Sequence, residues 1–396
     1  MEILFIVDSH RIIHPDTGAS VRNNLFLRAL LVISHVDIIT FAIDNEVSDI
    51  PNCDVIYSKK VSDSVGRIGG GIHSIICATL WPENTNPYYK LNKKKEAIID
   101  SLIKRKKYDI ITCRYVETAI KCGLLKYKDK LIIDADDNLV SILKYKATQA
   151  RSVIDKWKKK YKSKRIGKMQ NKLLSSILCS FCSNKSELPS PQTIFLPNTS
   201  ILNERLVESS ISNRLLFVGL LTFYPNKQGI THFVDTIFPI IKHINPQIQL
   251  RIVGESEPDF LSYLNNIDGV EAVGRVDDLS IEYQKATVVV IPIYYGSGTS
   301  VKFVEALFMN RPVVSSLMGA RGFSEVCQDG VHYMLANNDQ EFAEKTIELL
   351  SSASKRKEMA NNGYLIASKH FSQERFMEIV KESILRCMEN KRAILY

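Results

Sequence analysis

The sequence predicts an α/β protein built from two doubly wound, Rossmann-like domains with parallel sheets. At 396 residues the chain exceeds the usual size of one domain. Short apolar runs alternate with amphipathic helical segments, and several runs are continuously apolar, as in parallel strands covered on both faces. The alternation pauses at the Pro/Ser-rich stretch 188–192 and then resumes, so we place a domain boundary near 200–213.

The first half is predicted to alternate strand and helix. The predicted strands are 3–7, 36–41, 54–57, 108–113, 130–134 and 178–182. The predicted helices are 21–32, 93–106 and one within 149–175. This order is typical of an open parallel sheet with helices on both faces.

The second half repeats the pattern. The predicted strands are 214–219, 249–254, 270–274, 288–292 and 312–316, and the helices are 229–243, 258–265, 300–309, 340–351 and, beyond the last strand, 372–392. Open α/β sheets bind ligands at the carboxyl ends of their strands. We therefore expect functional residues just after strands, in a cleft between the two domains.

Composition indicates an ordinary globular protein, with 45% apolar and 24% charged residues. No apolar run approaches the roughly 20 residues of a membrane-spanning helix, and the start lacks a basic leader and a cleavage site. Cys179 and Cys182 lie three apart in a predicted strand, which would point them to opposite faces instead of into a zinc site. Buried, reduced thiols and a cytoplasmic location are expected.

The net charge of +9 is concentrated in one region. Residues 86–172 contain 25 Lys/Arg against 9 Asp/Glu, so the rest of the chain is net acidic. The densest part, 156–165, interleaves Trp157 and Tyr161 with lysines and an arginine. It is expected either to meet phosphates or an anionic membrane surface, or to be a solvated helix face.

The segment 288–316 runs from an apolar strand through a glycine loop into a helix. Gly296 and Gly298 lack a Cβ, so their backbone can approach a ligand closely, and the helix start offers unpaired N–H groups to a diphosphate. Lys302 and Glu305 share one exposed helix face, where the cation can neutralise phosphate and the carboxylate can accept hydrogen bonds from ribose hydroxyls. The alternative is a salt bridge between them over an ordinary glycine turn.

Seven short motifs of the second half recur in one known family, in the same order and at the expected intervals. They are Phe217-Val-Gly219, Tyr224-Pro-Asn226, Ile252-Val-Gly254, Val273-Gly274, Gly296-Ser-Gly-Thr-x-x-Lys-x-x-Glu-Ala306, Arg311-Pro-Val-Val-Ser315 and Gly319-Ala-x-Gly322. They resemble the family-4 retaining glycosyltransferases, in the branch with Gly-Ser-Gly-Thr-x-x-Lys-x-x-Glu. The resemblance is strong over 214–372, and Leu196-Pro-Asn198 resembles the segment that enters this domain.

The resemblance implies a GT-B fold with two facing domains. Residues 1–200 would form the acceptor-side domain, 201–372 the nucleotide-sugar-binding domain, and 373–396 a helix that packs back on the first domain. It implies a nucleoside-diphosphate sugar as donor substrate, no cofactor, and transfer with retention of anomeric configuration.

The resemblance, applied position by position, implies that Glu305 binds the ribose hydroxyls. It assigns Lys302, with the amides of Gly298 and Thr299, to the diphosphate. Ser297, also expected at the donor, stands where many members have a glutamate that contacts the donor sugar. That difference puts in question how the donor sugar is held.

Other glycine loops that follow strands are expected at the same donor. Gly219 ends a strand, and Lys227 near the next helix start is expected to bind phosphate, the alternative being a solvated lysine. Leu220 stands where many members have an arginine. The resemblance implies that Gly18, at the start of the first helix, lies near the donor phosphates and the acceptor; the alternative is a tight loop without a ligand. Arg22 is a candidate on the acceptor side.

Three carboxylates follow the strand 130–134. An Asp-x-Asp motif can bind Mn²⁺ or Mg²⁺, as in the other large glycosyltransferase architecture, GT-A. The resemblance instead supplies a cationic diphosphate site, so we expect no metal. We then expect Asp136 and Asp137 to contact the transferred sugar and Asp134 to orient the acceptor, the remaining alternative being that they cap the loop.

The sequence thus predicts a cytoplasmic, metal-independent, retaining hexosyltransferase that acts on a glycan or lipid-linked acceptor in bacterial surface polysaccharide synthesis. A peripheral position on the inner face of the cell membrane, through 156–165, is favoured over nucleic-acid binding. The alternative function is a non-catalytic sugar-nucleotide-binding or glycan-binding relative, suggested by Ser297 and Leu220. A dehydrogenase is disfavoured, since no Gly-x-Gly-x-x-Gly follows the first strand.

Overall fold

The computed structural model describes most of the chain. The described residues are 1–13, 18–43, 45, 50–62, 91–136, 139–148, 150, 152–185, 190, 193–202, 204–207, 213–296 and 298–395. The chain divides into two compact units, one formed by Met1–Leu196 with Phe376–Tyr396 and the other by Pro197–Arg375.

The first unit contains a parallel sheet which, over the described residues, has the strand order β3-β2-β1-β4-β5-β6-β7. The strands are β1 Glu2–Val7, β2 His35–Thr40, β3 Cys53–Ser58, β4 Ile110–Arg114, β5 Leu131–Asp134, β6 Cys179–Cys182 and β7 Thr193–Phe195. The α-helices are α1 Gly18–Leu31, α2 Lys93–Arg105, α3 Val116–Lys121, α4 Leu139–Thr148 and α5 Val153–Leu174, and a 3₁₀ segment covers Leu124–Lys130. Chain order reverses between β1 and β4, so a ligand-binding crevice is expected at their carboxyl ends.

The second unit contains a parallel sheet whose described strands have the order β10-β9-β8-β11-β12-β13. The strands are β8 Arg214–Val218, β9 Gln249–Val253, β10 Val270–Ala272, β11 Val288–Ile291, β12 Val313–Ser316 and β13 Met334–Ala336. The α-helices are α6 Tyr224–His232, α7 Phe238–Ile244, α8 Pro258–Asn265, α9 Leu279–Lys285, α10 Val301–Phe308, α11 Asp339–Ser351 and α12 Ala353–His370. A π-turn, Phe233–Ile237, joins α6 to α7, and the final helix, α13, is Gln373–Leu395.

The first sheet is buried on both faces because its central strands are apolar at nearly every position. In β1, Ile3 and Phe5 contribute to one apolar cluster and Leu4 to the other. Helix α13 adds Phe376 and Val380 to the cluster of Ile3. The end of the chain therefore packs into the core of the first unit.

The predicted fold class is confirmed, and the predicted strands lie within two residues of the observed ones. The sequence pattern does not predict β7 and β13, because three residues give no readable period; it also misses α3, α4, α9 and α12. The predicted start of a helix at Gly229 is wrong, since α6 begins at Tyr224. Pro225 suits the first turn, and Gly229 lies inside the helix where a Cβ would come within 2.1 Å of Pro292 O.

Within the described part of the chain, none of the helices combines the length and the apolarity that crossing a bilayer requires.

Candidate functional site

The glycine loop of the second unit joins β11 to α10. It lies at the topological switch point of the sheet, between the neighbouring strands β8 and β11. Gly296 has φ 151° and Gly298 has φ 67°. Both values belong to conformations that residues with a Cβ rarely adopt. A Cβ on Gly296 would meet nothing within 4 Å among the described atoms, so the backbone conformation explains this glycine better than crowding does.

Two side chains from other segments hold this loop. The Arg321 guanidinium donates to Gly298 O at 3.2 Å and 2.8 Å and to Gly296 O at 3.1 Å. Asn198 Nδ2 donates to Thr299 Oγ1 at 2.7 Å. Ser297 lies outside the described residues.

Lys302, in the first turn of α10, is anchored from the loop after β8. Its Nζ donates to Asn226 Oδ1 at 2.9 Å and lies 5.7 Å from the centre of the Phe217 ring. A Cβ on Gly219 would be 3.1 Å from Lys302 Cε, so this glycine leaves room for the lysine side chain. Burial lowers the pKa of Lys302 to about 8, and the nearby Glu305 carboxylate acts in the opposite direction.

Glu305 lies one turn further along α10 and is partly buried. Its Oε1 atom is shielded from solvent and makes no well-aligned hydrogen bond among the described residues. Burial raises the pKa of Glu305 to about 7, against the lowering effects of the nearby Tyr283 hydroxyl and of Lys302. A buried carboxylate oxygen without a well-aligned donor is costly, so a ligand with hydroxyl groups would stabilise it.

The amino end of α10 offers further hydrogen-bonding groups. Ser300 precedes the helix without capping it by its side chain, and its Oγ is buried without a partner among the described residues. Helix starts carry unpaired N–H groups and a partial positive charge. This end of α10 can therefore bind an anion next to Lys302.

One detail of the sequence prediction is wrong. Lys302 and Glu305 were expected on an exposed face, whereas both are partly buried. The expected alternative, a salt bridge between them, is also not what the structure shows, because the Lys302 ammonium donates to Asn226. The two charged groups share a face, and Glu305 acts on Lys302 through its charge.

The structure places Lys227 in a different arrangement from Lys302. Lys227 Nζ is 2.9 Å from Glu257 Oε2 and 4.6 Å from the centre of the Phe260 ring. This contact is a surface ion pair. In the first unit, Gly18 is exposed and is the first residue of α1.

The first unit carries a buried ionic cluster at the carboxyl edge of its sheet. Arg22 donates to Asp134 Oδ2 at 2.7 Å through Nε and to Asp134 Oδ1 at 2.8 Å through Nη2. Both residues are at most 2% exposed. Both oxygens of Asp134 are thus engaged by Arg22, which is the strong bidentate arrangement.

Asp136 belongs to the same cluster. Arg114 Nη2 donates to Asp136 Oδ2 at 2.5 Å, and Arg22 Nε lies 3.8 Å from the same oxygen. Burial raises the pKa of Asp136, but the two arginines and the nearby Ser183 hydroxyl together lower it below its ordinary value. Asp136 Oδ1 is buried without a well-aligned hydrogen bond among the described residues, and Asp137 lies outside them.

Three residues of these sites were not singled out by sequence reasoning: Asn226, Arg321 and Arg114. Asn226 and Arg321 stand inside motifs that carry the resemblance, but their partners lie 76 and 23 residues away along the chain. Arg114 offers a usable signal. It is a cation at the end of an apolar strand, at the same sheet edge as Asp134.

Among the described residues, one group has ligand atoms close enough together to hold a metal ion: His35, Asp37 and Asp54, all within 4.8 Å of one another. They lie at the amino ends of β2 and β3, the opposite edge from Asp134. Tyr108 already donates to Asp37 at 2.5 Å. An internal hydrogen-bond network therefore accounts for this group.

Two comparisons of the sequence bear on the site. Residues 212–352 match the family model described as "Glycosyl transferases group 1". A Klebsiella pneumoniae protein, described as an uncharacterized 44.6 kDa protein in the cps region, is 25% identical over 319 residues, which cover 75% of this chain and 79% of that protein. The matched range includes the glycine loop, Lys302 and Glu305.

Solved structures share the fold. Sucrose-phosphate synthase from Thermosynechococcus elongatus superposes with a TM-score of 0.70 at 17% identity, covering 100% of this chain and 99% of that chain. Anabaena HepE, solved in complex with UDP-glucose, superposes with a TM-score of 0.63 at 14% identity, covering 98% and 100%. The two parallel-sheet units therefore match the GT-B architecture.

Proposed function

We propose that this chain, whose residues 212–352 form a group 1 glycosyltransferase domain, transfers a sugar from a nucleoside-diphosphate sugar to a hydroxyl group of a glycan or lipid-linked acceptor. The observation that carries the proposal is the set of groups around the start of α10. A cation at Lys302, a buried carboxylate oxygen at Glu305 and a buried hydroxyl at Ser300 follow the glycine loop, and the two oxygens make no well-aligned hydrogen bond among the described residues. The UDP-glucose complex of HepE supports a nucleotide sugar as the ligand.

The residues of the second unit take separate roles in this proposal. Lys302 and the helix start neutralise the diphosphate, with the amides of Gly298 and Thr299 donating to its oxygens. Glu305 Oε1 accepts from the ribose hydroxyls. We keep Lys227 outside the site, because its ammonium pairs with Glu257.

In the first unit, we propose that some residues of the ionic cluster support the sheet edge and that one of them contacts the substrate. Arg22 and Asp134 satisfy each other and form the framework of the sheet edge. Asp136 keeps one oxygen without a well-aligned hydrogen bond among the described residues, with the Ser183 hydroxyl nearby. We propose that this oxygen accepts a hydrogen bond from a hydroxyl group of the transferred sugar, and that Arg114 holds the carboxylate in place.

We propose transfer with retention of configuration and without a metal ion. The bond between the anomeric carbon and the diphosphate oxygen breaks, and the acceptor oxygen bonds to that carbon. The acceptor proton passes to the departing phosphate, and Lys302 stabilises the charge that develops there. Proton NMR of the product gives its anomeric configuration; an inverted product, or activity abolished by EDTA and restored by Mn²⁺, would contradict this mechanism.

The function is tested with a panel of UDP-, GDP-, ADP- and dTDP-sugars, measuring thermal stabilisation and release of the nucleoside diphosphate. We expect one nucleotide to stabilise the chain, and Lys302→Met to reduce its turnover by about 100-fold. Glu305→Ala, which removes the acceptor oxygens, should abolish the preference for a nucleoside diphosphate over its 2′,3′-dideoxy analogue. Lys285→Met, which removes an exposed lysine from α9, is the control.

The outcomes separate the enzyme from its alternative. Nucleotide binding without transfer or hydrolysis of any donor would favour a non-catalytic sugar-nucleotide-binding protein. If no nucleotide of the panel stabilises the chain, the proposed donor site is wrong. The resemblance to a protein of the cps region supports polysaccharide synthesis as the setting.

We further propose that α5 brings the chain to an anionic membrane surface. The start of this helix is apolar and exposed: Val153 is 84%, Ile154 68% and Trp157 64% exposed. Trp157 stacks on Tyr161 with ring centres 5.5 Å apart. Lysines follow on the same helix, and such a helix can insert its apolar side chains between headgroups while its cations meet anionic lipid.

Vesicle co-sedimentation tests this surface. We expect binding to vesicles containing 30% anionic lipid at low salt, weakened about tenfold in the double variant Lys158→Glu/Lys160→Glu. The control is Lys357→Glu/Lys369→Glu, which makes the same charge change on exposed positions of α12. Equal loss in both variants, or no binding by the wild-type chain, would contradict the proposal.

A further inference from the structure

Arg321 lies in the segment after β12, outside the glycine loop that it contacts. Its guanidinium makes three hydrogen bonds to that loop, two to Gly298 O and one to Gly296 O. A planar guanidinium with five N–H groups can bridge two carbonyls in one fixed geometry, which a lysine ammonium cannot do in the same way. The two carbonyl groups are thus held on the side of Arg321.

The direction of these carbonyls fixes the direction of the neighbouring amide. In a trans peptide the C=O and the following N–H point to opposite sides of the chain, and no cis peptide occurs in the described residues. Because Gly298 C=O points to Arg321, the N–H of Thr299 points away from it. The Thr299 side chain is held separately by Asn198, so this residue is fixed through both its backbone and its hydroxyl.

Gly298 allows this orientation and Arg321 maintains it. Gly298 has φ 67°, which lies in the left-handed region; glycine adopts this region about as readily as conformations with negative φ. A glycine has several backbone conformations of similar energy, and in most of them the following amide would point elsewhere. Hydrogen bonds from a charged donor select one of them.

We propose that Arg321 is a positioning residue that aims the Thr299 N–H at the diphosphate of the bound nucleotide. The inference rests on the proposed function and adds to it a residue that lies behind the loop. Arg321 acts through the loop backbone, and its charge reinforces the positive potential at the start of α10. Loss of Arg321 should therefore weaken the binding of the diphosphate group and leave the binding of the nucleoside group unchanged.

The experiment compares a diphosphate with its nucleoside. UDP, ADP, GDP and dTDP are titrated into the wild-type chain, and the diphosphate that binds most tightly is then compared with its nucleoside by ligand-observed NMR. In Arg321→Ala we expect the dissociation constant of the diphosphate to rise about 10- to 100-fold, with that of the nucleoside unchanged within about twofold. Arg321→Lys, which keeps the charge and loses the fork, should restore only part of the difference.

The control is Arg356→Ala. Arg356 Nη1 donates to Leu349 O and Leu350 O at 2.8 Å. The substitution therefore removes comparable arginine-to-carbonyl hydrogen bonds from the same unit. We expect no change in the ratio of the two dissociation constants. Unchanged diphosphate affinity in Arg321→Ala, or an equal loss of diphosphate and nucleoside, would overturn the positioning role while the proposed function stands. Failure of the wild-type chain to bind UDP, ADP, GDP and dTDP would overturn both.

Discussion

Lys302 Nζ donates a 2.9 Å hydrogen bond to Asn226 Oδ1, and this bond links the helix after β11 to the helix after β8. Asn226 is buried, and its Nδ2 donates to Leu220 O at 2.8 Å. Both ends of the amide are therefore in use, which fixes the side on which Asn226 presents its oxygen. The position of the ammonium group at the candidate donor site depends on this one side chain.

Replacing Asn226 should weaken nucleotide binding. Asn226→Ala leaves the partly buried Lys302 ammonium without its acceptor, and we expect the dissociation constant of the bound nucleoside diphosphate to rise about tenfold. Asn226→Asp should raise the pKa of Lys302 and also weaken binding, because its carboxylate competes with phosphate. Isothermal titration calorimetry measures both effects.

The control for Asn226 is Asn265→Ala. Asn265 makes two hydrogen bonds to the backbone of Ala272, through Nδ2 at 3.0 Å and Oδ1 at 2.8 Å. This substitution should cost about as much stability as Asn226→Ala and leave the dissociation constant unchanged. A similar loss of affinity in both variants would mean that Asn226 contributes only to folding.

The pH dependence of binding follows from the pKa of Lys302. Burial lowers that pKa to about 8, so above pH 8 most of the unliganded chain carries a neutral lysine. A diphosphate favours the ammonium form, so binding must take up a proton there, and affinity must fall as pH rises. At pH 8.5 we therefore expect net proton uptake when the nucleoside diphosphate binds.

Proton uptake is measured by calorimetry in two buffers of different ionisation enthalpy. Lys302→Met should abolish it, whereas Lys285→Met on the surface should leave it intact. Uptake that persists in Lys302→Met would assign the titrating proton to another group. Affinity that rises between pH 8 and pH 9 would contradict the lowered pKa.

The strands and the donor helix were predictable because their signals are local. β1 and β11 are continuous apolar runs, and the three-residue spacing of Lys302 and Glu305 places them on one helix face. β13 has three residues, of which Leu335 is only partly buried. Such a segment carries too little periodicity to be recognised without its parallel neighbour β12.

The supporting contacts were not predictable, because each depends on segments that meet only in the folded chain. Asn226 is part of the motif Tyr224-Pro-Asn226, but nothing local indicates that its oxygen accepts from Lys302. Burial is equally invisible in the sequence, so the face expected to be exposed is partly buried in the structure. The same limit applies to Arg22 and Asp134, which are 112 residues apart.

The pair of Arg22 and Asp134 should be essential for the stability of the first unit. Arg22→Met leaves Asp134 buried without its bidentate partner, and removing one member of a buried pair costs about 3–5 kcal/mol. Trp157 lies in α5 of the first unit and stacks on Tyr161. Urea unfolding followed by tryptophan fluorescence therefore reports the free energy of unfolding of that unit.

A surface pair in the same unit provides the comparison. Lys159 Nζ is 2.5 Å from Asp155 Oδ2 in an i, i+4 arrangement, and such pairs contribute only about 0.3–0.5 kcal/mol. Lys159→Met should hardly move the urea midpoint. A loss below about 1 kcal/mol for Arg22→Met would show that water reaches Asp134 in the variant, and that the cluster is less enclosed than its exposure indicates.

Two glycines inside helices should respond to alanine in opposite directions. In α6, a Cβ on Gly229 would lie 2.1 Å from Pro292 O, a backbone atom that cannot move without displacing the end of β11. Gly229→Ala should therefore destabilise the second unit by about 2–4 kcal/mol.

In α5, a Cβ on Gly167 would meet Val140 Cγ2 at 3.6 Å, an ordinary contact. Gly167→Ala should therefore stabilise the first unit by about 0.5–1 kcal/mol, because alanine loses less backbone entropy in a helix. Hydrogen exchange of peptides from each unit, measured against urea concentration, gives the free energy of unfolding of each unit separately. Destabilisation in both variants would mean that α5 tolerates no side chain at Gly167. Stabilisation in both variants would mean that α6 does not approach Pro292 as closely as the structure shows.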